Sequence, residues 1–119
     1  MWQYFAFARK AATNKHDVRG ILIGACGVRN DGCRVVSSNG PVIMFNESKG
    51  SYPAAHAEAR LARKLDVGSV VFVCRVRKVD GSFACARPCP DCQRTLTSRG
   101  IKKVYYTISN TEYGVMYLN

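Results

Sequence analysis

The sequence predicts an α/β fold, a three-layer α/β/α sandwich around a five-stranded mixed sheet whose last strand runs antiparallel. Three observations carry that expectation. Strand-like apolar runs alternate with helical stripes along the chain. Asn30-Asp31-Gly32 joins the first two strand-like runs, as a hairpin turn does. After Ile108 only eleven residues remain. A parallel crossover takes a dozen or more, so the tail should fold back as an antiparallel strand from Tyr113 to Leu118.

Residues 2–13 put Tyr4, Phe7, Ala8, Ala11 and Ala12 on one helical stripe, broadened by Trp2 and Phe5. Such a helix packs on a sheet or on a partner subunit. Ile21 to Val28 is nearly continuous apolar sequence, suited to a central strand covered on both faces, and Gly24 and Gly27 permit close backbone approach. Cys33 to Ser37 is the returning arm of the hairpin. Ser38-Asn39-Gly40-Pro41 ends it in a turn, and residues 42–54 form a loop long enough to serve as a lid. Ala55 to Leu65 reads as a helix, because Glu58, Leu61, Ala62 and Leu65 recur at helical spacing while Arg60, Arg63 and Lys64 face elsewhere.

Val70 to Cys74 is the most β-prone run and belongs in the middle of the sheet. Asp80-Gly81-Ser82 turns, and Phe83 to Ala86 leads into a cysteine-rich segment. Pro90 suits the first position of the next helix, Leu96 anchors it inward, and Gly100 suits its C-terminal cap. Lys103 to Ile108 is the following strand.

A chain of 119 residues with 47% hydrophobic and 22% charged residues is expected to form one domain, residues 1–119. No apolar run approaches the ~20 residues of a membrane span. The N-terminus lacks the basic lead and cleavage site of a signal peptide. Cys26 and Cys74 lie inside strand-like runs, where buried thiols are ordinary, so a reducing cytoplasm is expected. The net charge of +10, from 18 Lys and Arg against 8 Asp and Glu, attracts anions, whether nucleotides, polynucleotides or acidic membranes, or else serves only solubility. Arg75, Arg77 and Lys78 form a candidate edge for an anionic ligand.

The chemistry centres on His56-Ala57-Glu58 and Pro88-Cys89-Pro90-Asp91-Cys92. His56, Cys89 and Cys92 can supply three zinc ligands, leaving a tetrahedral ion one open position, as in catalytic sites. Glu58 is the candidate proton carrier. It shares a buried stripe, where a carboxylate is costly unless something satisfies it. His56 lies about 200° round the helix from Glu58, so the metal belongs off the N-terminal end. Both cysteines fall at a helix N-terminus, which favours thiolates. Asp91 adjoins a ligand but is not the expected carrier. Cys85 supplies the alternative: as a fourth ligand it would close the site and make the chain a non-catalytic, structural-zinc binding module.

His-x-Glu followed by Pro-Cys-x-x-Cys is the signature of zinc nucleobase deaminases. Over most of its length the chain resembles the cytidine and deoxycytidylate deaminase superfamily. The resemblance implies a zinc-dependent hydrolase converting deoxycytidylate to deoxyuridylate with release of ammonia. Asn39-Gly40 resembles the Asn-Gly whose Asn contacts the nucleoside sugar in deoxycytidylate deaminases; Asn46, spaced from His56 more as in tRNA adenosine deaminases, is its rival. The backbone amide of Ala57 would hold the pyrimidine carbonyl. Arg99 to Tyr106 also resembles the deoxycytidylate deaminase pattern. Similar short deaminases occur in phage genomes, which would place this one in a host cytoplasm. Deaminases with this motif set self-associate, and the first helix's aromatics suit a homo-oligomer. The antiparallel tail departs from the deoxycytidylate and polynucleotide branches, so contacts from their C-terminal helices do not carry over. The charge of +10 supports an alternative substrate, cytosine in single-stranded DNA or RNA, with Tyr52, Tyr105 or Tyr106 as stacking groups.

Overall fold

The computed structural model describes residues 2–13, 21–38, 61, 64–77 and 79–118. Its elements are α1 (Trp2–Thr13), β1 (Ile21–Val28), β2 (Arg34–Ser38), β3 (Val70–Arg77), β4 (Phe83–Ala84), α2 (Pro90–Ser98), β5 (Lys103–Thr107) and β6 (Tyr113–Tyr117). The main sheet runs β2-β1-β3-β5-β6, with β3 in the middle. The β3–β5 pair is parallel; β1–β2, β1–β3 and β5–β6 are antiparallel. The tail folds back as expected, with Lys103 opposite Tyr117 and Thr107 opposite Tyr113.

A sixth strand, β4, was not expected. The turn before it explains its formation. Gly81 takes φ 74°, and the Asp80 carboxylate accepts from the Ser82 amide at 2.9 Å and the Ser82 hydroxyl at 2.7 Å. These two bonds hold the Asp80 carboxyl below its ordinary pKa. The chain reverses, and Phe83–Ala84 pairs antiparallel with Val76 and Arg75.

Each sheet face carries its own core. On one, Phe5, Ala8 and Ala12 of α1 meet Leu22, Cys26, Phe72, Cys74 and Val76. On the other, Leu61, Leu65 and Leu96 meet Ala25, Val71, Val73 and Val104. Among the described residues no helix is long and apolar enough to cross a membrane.

The glycines of β1 explain how close the layers lie. A Cβ at Gly24 would fall 1.8 Å from the Ala8 carbonyl oxygen, and one at Gly27 would fall 2.4 Å from a Leu65 methyl. This contact also corrects the expected stripe of α1. Phe7 is half-exposed with the Arg34 guanidinium 4.4 Å from its ring centre, while Phe5 is fully buried. The helix must turn Ala8 toward Gly24, and that rotation brings in Phe5 and puts Phe7 at the rim. Gly24→Ala is expected to cost about 3 kcal/mol, the upper end for overpacking, because backbone and not a flexible side chain blocks the new methyl. Gly27→Ala should cost less. Urea midpoints of the two variants check the order.

Cys33 is not a strand residue. It is exposed in the turn ahead of β2, its amide donating to the Asp31 carboxylate at 2.9 Å. Cys26 and Cys74 are fully buried and outside any disulfide. Burial pushes their thiols up, to about 11 and about 12 respectively. In the unfolded chain thiols release protons near their ordinary value of about 8.5. Above that pH the unfolded state binds fewer protons than the folded state, so stability falls as pH rises toward 11 and 12. Urea midpoints from pH 8 to 10.5 should decline, and a Cys26→Ala/Cys74→Ala double variant should decline less steeply.

Candidate active site

The cysteine segment hangs from the sheet by one buried side chain. The Thr107 hydroxyl donates to the Ala84 carbonyl at 2.8 Å and accepts from the Arg75 amide at 3.4 Å. The Thr107 carbonyl accepts from the Ala86 amide at 2.9 Å. Nearby, the Asn110 side chain accepts from the Phe83 amide at 2.8 Å. Sequence reasoning missed Thr107. No local signal marks it: a threonine closing the Lys-Val-Tyr-Tyr-Thr strand reads as an ordinary β-branched strand residue, and its full burial shows only in the fold.

From Ala84 to Pro88 the chain alternates, with Ala84, Ala86 and Pro88 buried and Cys85 and Arg87 exposed. The Arg87 guanidinium lies 5.9 Å from the Tyr106 ring centre and donates to its hydroxyl at 3.3 Å. Cys89 then caps α2 in an extended conformation, φ −71° and ψ 164°, with no side-chain cap hydrogen bond. Pro90 begins the helix, as its fixed φ suits. Cys92 is fully buried and stacks above Leu96, one turn on. The Gln93 side chain donates to the Pro88 carbonyl at 2.8 Å and fixes the entry of the chain.

At the far end, Gly100 takes φ 82°. Its amide bonds to the Thr97 carbonyl at 2.9 Å, and the Ile101 amide reaches the Leu96 carbonyl at 3.1 Å. That double bond pattern is a Schellman stop, with Ile101 and Leu96 in one core.

Cys89 and Cys92 thus occupy the N-cap and third positions of α2, whose side chains converge over a helix start. They sit by the C-terminal ends of β3 and β5, the parallel pair, where α/β folds place their ligand sites. Two soft donors, one half-buried and one buried, suit zinc. Asp91 points outward into an ion pair with Arg94. Among the described residues no three His, Cys, Asp or Glu side chains gather as a metal group. Cys85 therefore does not join Cys89 and Cys92 in one cluster. A groove of about 650 Å³ runs from Pro90 along Arg94 and Ser98 to Tyr117.

His56, Ala57, Glu58, Asn39, Asn46 and Tyr52 lie outside the described residues. Two members of the expected stripe are described: Leu61 and Leu65 are both buried, with Lys64 between them exposed.

No protein-family model matches the chain, and no curated protein matches it in sequence. Among solved structures, the chain is similar to a cytidine deaminase from Burkholderia pseudomallei, with a TM-score of 0.68 at 19% identity. The match covers 98% of this chain and 91% of that one. The fold is that of cytidine deaminase.

Proposed function

We propose that the chain is a zinc-dependent deaminase of a cytosine nucleotide, converting deoxycytidylate to deoxyuridylate. The observation that supports it most is Cys89 and Cys92 at the N-cap and third positions of α2, in a chain with the cytidine deaminase fold. His56, Cys89 and Cys92 would hold the zinc, which when bound acidifies water so that a nucleophile is available near neutral pH. Glu58 takes a proton from the attacking water and passes it to the ring nitrogen, then takes the proton of the new C4 hydroxyl and passes it to the departing amine. One water is consumed; the C4 amino group leaves as ammonia and a carbonyl replaces it. The Ala57 amide holds the pyrimidine carbonyl and Asn39, ahead of Asn46, holds the sugar.

The choice of deoxycytidylate rests on motifs close to the chemistry: Asn39-Gly40, His56-Ala57-Glu58 and the run after the cysteines. The charge of +10 favours a second reading, cytosine within a single strand. Product formation from cytidine, deoxycytidine, deoxycytidylate and a cytosine-containing strand, at two salt concentrations, separates them. Polynucleotide binding falls steeply with salt, whereas one phosphate gives a shallow slope. Efficient, salt-sensitive deamination of the strand with none of deoxycytidylate would sink the first reading.

A further inference from the structure

The sheet face away from α2 carries a strip of rings and cations that the proposed chemistry does not use. The Arg9 guanidinium lies 5.4 Å from the Phe83 ring centre, and Phe83 stacks on Trp2 at 6.1 Å. Trp2 meets Tyr113 edge-on at 5.7 Å, and Tyr113 meets Tyr105 at 6.0 Å. Lys103 follows, its ammonium 5.5 Å from the Tyr105 ring and 5.7 Å from that of Tyr117. Register explains the alignment: Lys103 is opposite Tyr117, Tyr105 opposite Val115 and Thr107 opposite Tyr113, so these side chains share one face of β5 and β6.

The strip is open where it matters. Tyr117 is 67% exposed, Tyr113 41% and Trp2 36%, beside Val115 at 40%. β5 and β6 contain no carboxylate, and the nearest one in sequence, Glu112, sits in the turn before β6. The Tyr105 hydroxyl accepts from Lys103 and pushes that ammonium above its ordinary pKa, so it remains charged.

From this strip we infer that the α1–β5–β6 face binds single-stranded nucleic acid, with Tyr117 and Tyr113 stacking bases and Lys103 meeting a phosphate. Aromatic platforms interleaved with cations on an open surface hold single strands without reading their sequence. A second copy of the chain fits less well. A two-fold interface on this strip would bring two strips of the same sign together, and a charge of +10 per chain opposes it. The strip's side chains share the sheet face opposite Leu96, and Tyr117, at the end of the edge strand β6, also borders the groove along α2.

The test uses the zinc-loaded protein and a fluorescein-labelled oligothymidylate, whose bases have no amino group to remove. Anisotropy titrations between about 50 and 200 mM salt should show binding that weakens steeply. Tyr117→Ala should weaken binding about tenfold, within the range for one lost stacking contact. Lys103→Gln should reduce the salt slope by about 0.7, the value for one single-strand phosphate. Lys64→Gln, which removes an exposed cation from the other side of the sheet, should change neither by as much. The inference fails if the wild type does not bind at low salt. It fails equally if Tyr117→Ala and Lys103→Gln bind no worse than Lys64→Gln. Light scattering that shows a dimer which Tyr117→Ala dissociates would assign the strip to self-association and overturn it too.

Discussion

Glu58→Gln is expected to lose deamination by a hundredfold to about ten-thousandfold, the usual worth of a positioned acid–base group. Zinc content and fold should stay as they were. Glu58 lies three residues before Leu61 and seven before Leu65, and both leucines are buried in the core beneath β1 and β3. The sequence stripe that holds Leu61 and Leu65 is expected to hold residue 58 as well. A carboxylate there costs stability unless a task keeps it. Gln keeps the size and hydrogen-bonding ends of the side chain but cannot carry a proton. Activity and stability should therefore move in opposite directions, with turnover collapsing while the urea midpoint holds or rises. Ammonia release, bound zinc and denaturation on one preparation give all three readings. Substantial residual turnover would mean that another group moves the proton.

The parts of the fold legible in the sequence are those set by local rules. Pro90 and Gly100 bracket α2 because a fixed φ starts a helix and a positive φ stops it. The antiparallel return of β6 was legible because Asn110-Thr111-Glu112 leaves room only for a turn between β5 and β6. What escaped was set at a distance. Phe5 and Phe7 both fit a helical stripe, and only the seating of Ala8 on Gly24 decides between them. β4 is two residues long and carries no period to read. Thr107 acts on a carbonyl 23 residues away, which no window along the chain connects. Of the proposed site, the structure describes the cysteine segment and its place at the start of α2. The His56 and Glu58 half rests on spacing, and its nearest described support is the burial of Leu61 and Leu65.

Cys89→Ser and Cys92→Ser are expected to lose the zinc, about one per chain in the wild type, while Cys85→Ser keeps it. The two positions separate metal binding from helix formation. Serine is a preferred N-cap, so Cys89→Ser should retain α2, and Cys89 makes no side-chain cap bond to lose. Missing zinc in that variant reports the ligand itself, because a serine hydroxyl stays protonated at neutral pH where a thiol beside a metal does not. Cys92→Ser should do more harm to stability. Its side chain is fully buried in line with Leu96, so the variant places a smaller, more polar group where the thiol is shielded from water. Cys85 is exposed, four residues before the cap, on a segment whose buried side chains are Ala84, Ala86 and Pro88. Its substitution should leave zinc content, melting temperature and activity unchanged. Zinc lost from Cys85→Ser would instead mark a closed site of three thiolates and an imidazole, and the chain would then be a zinc-stabilised binding module without turnover.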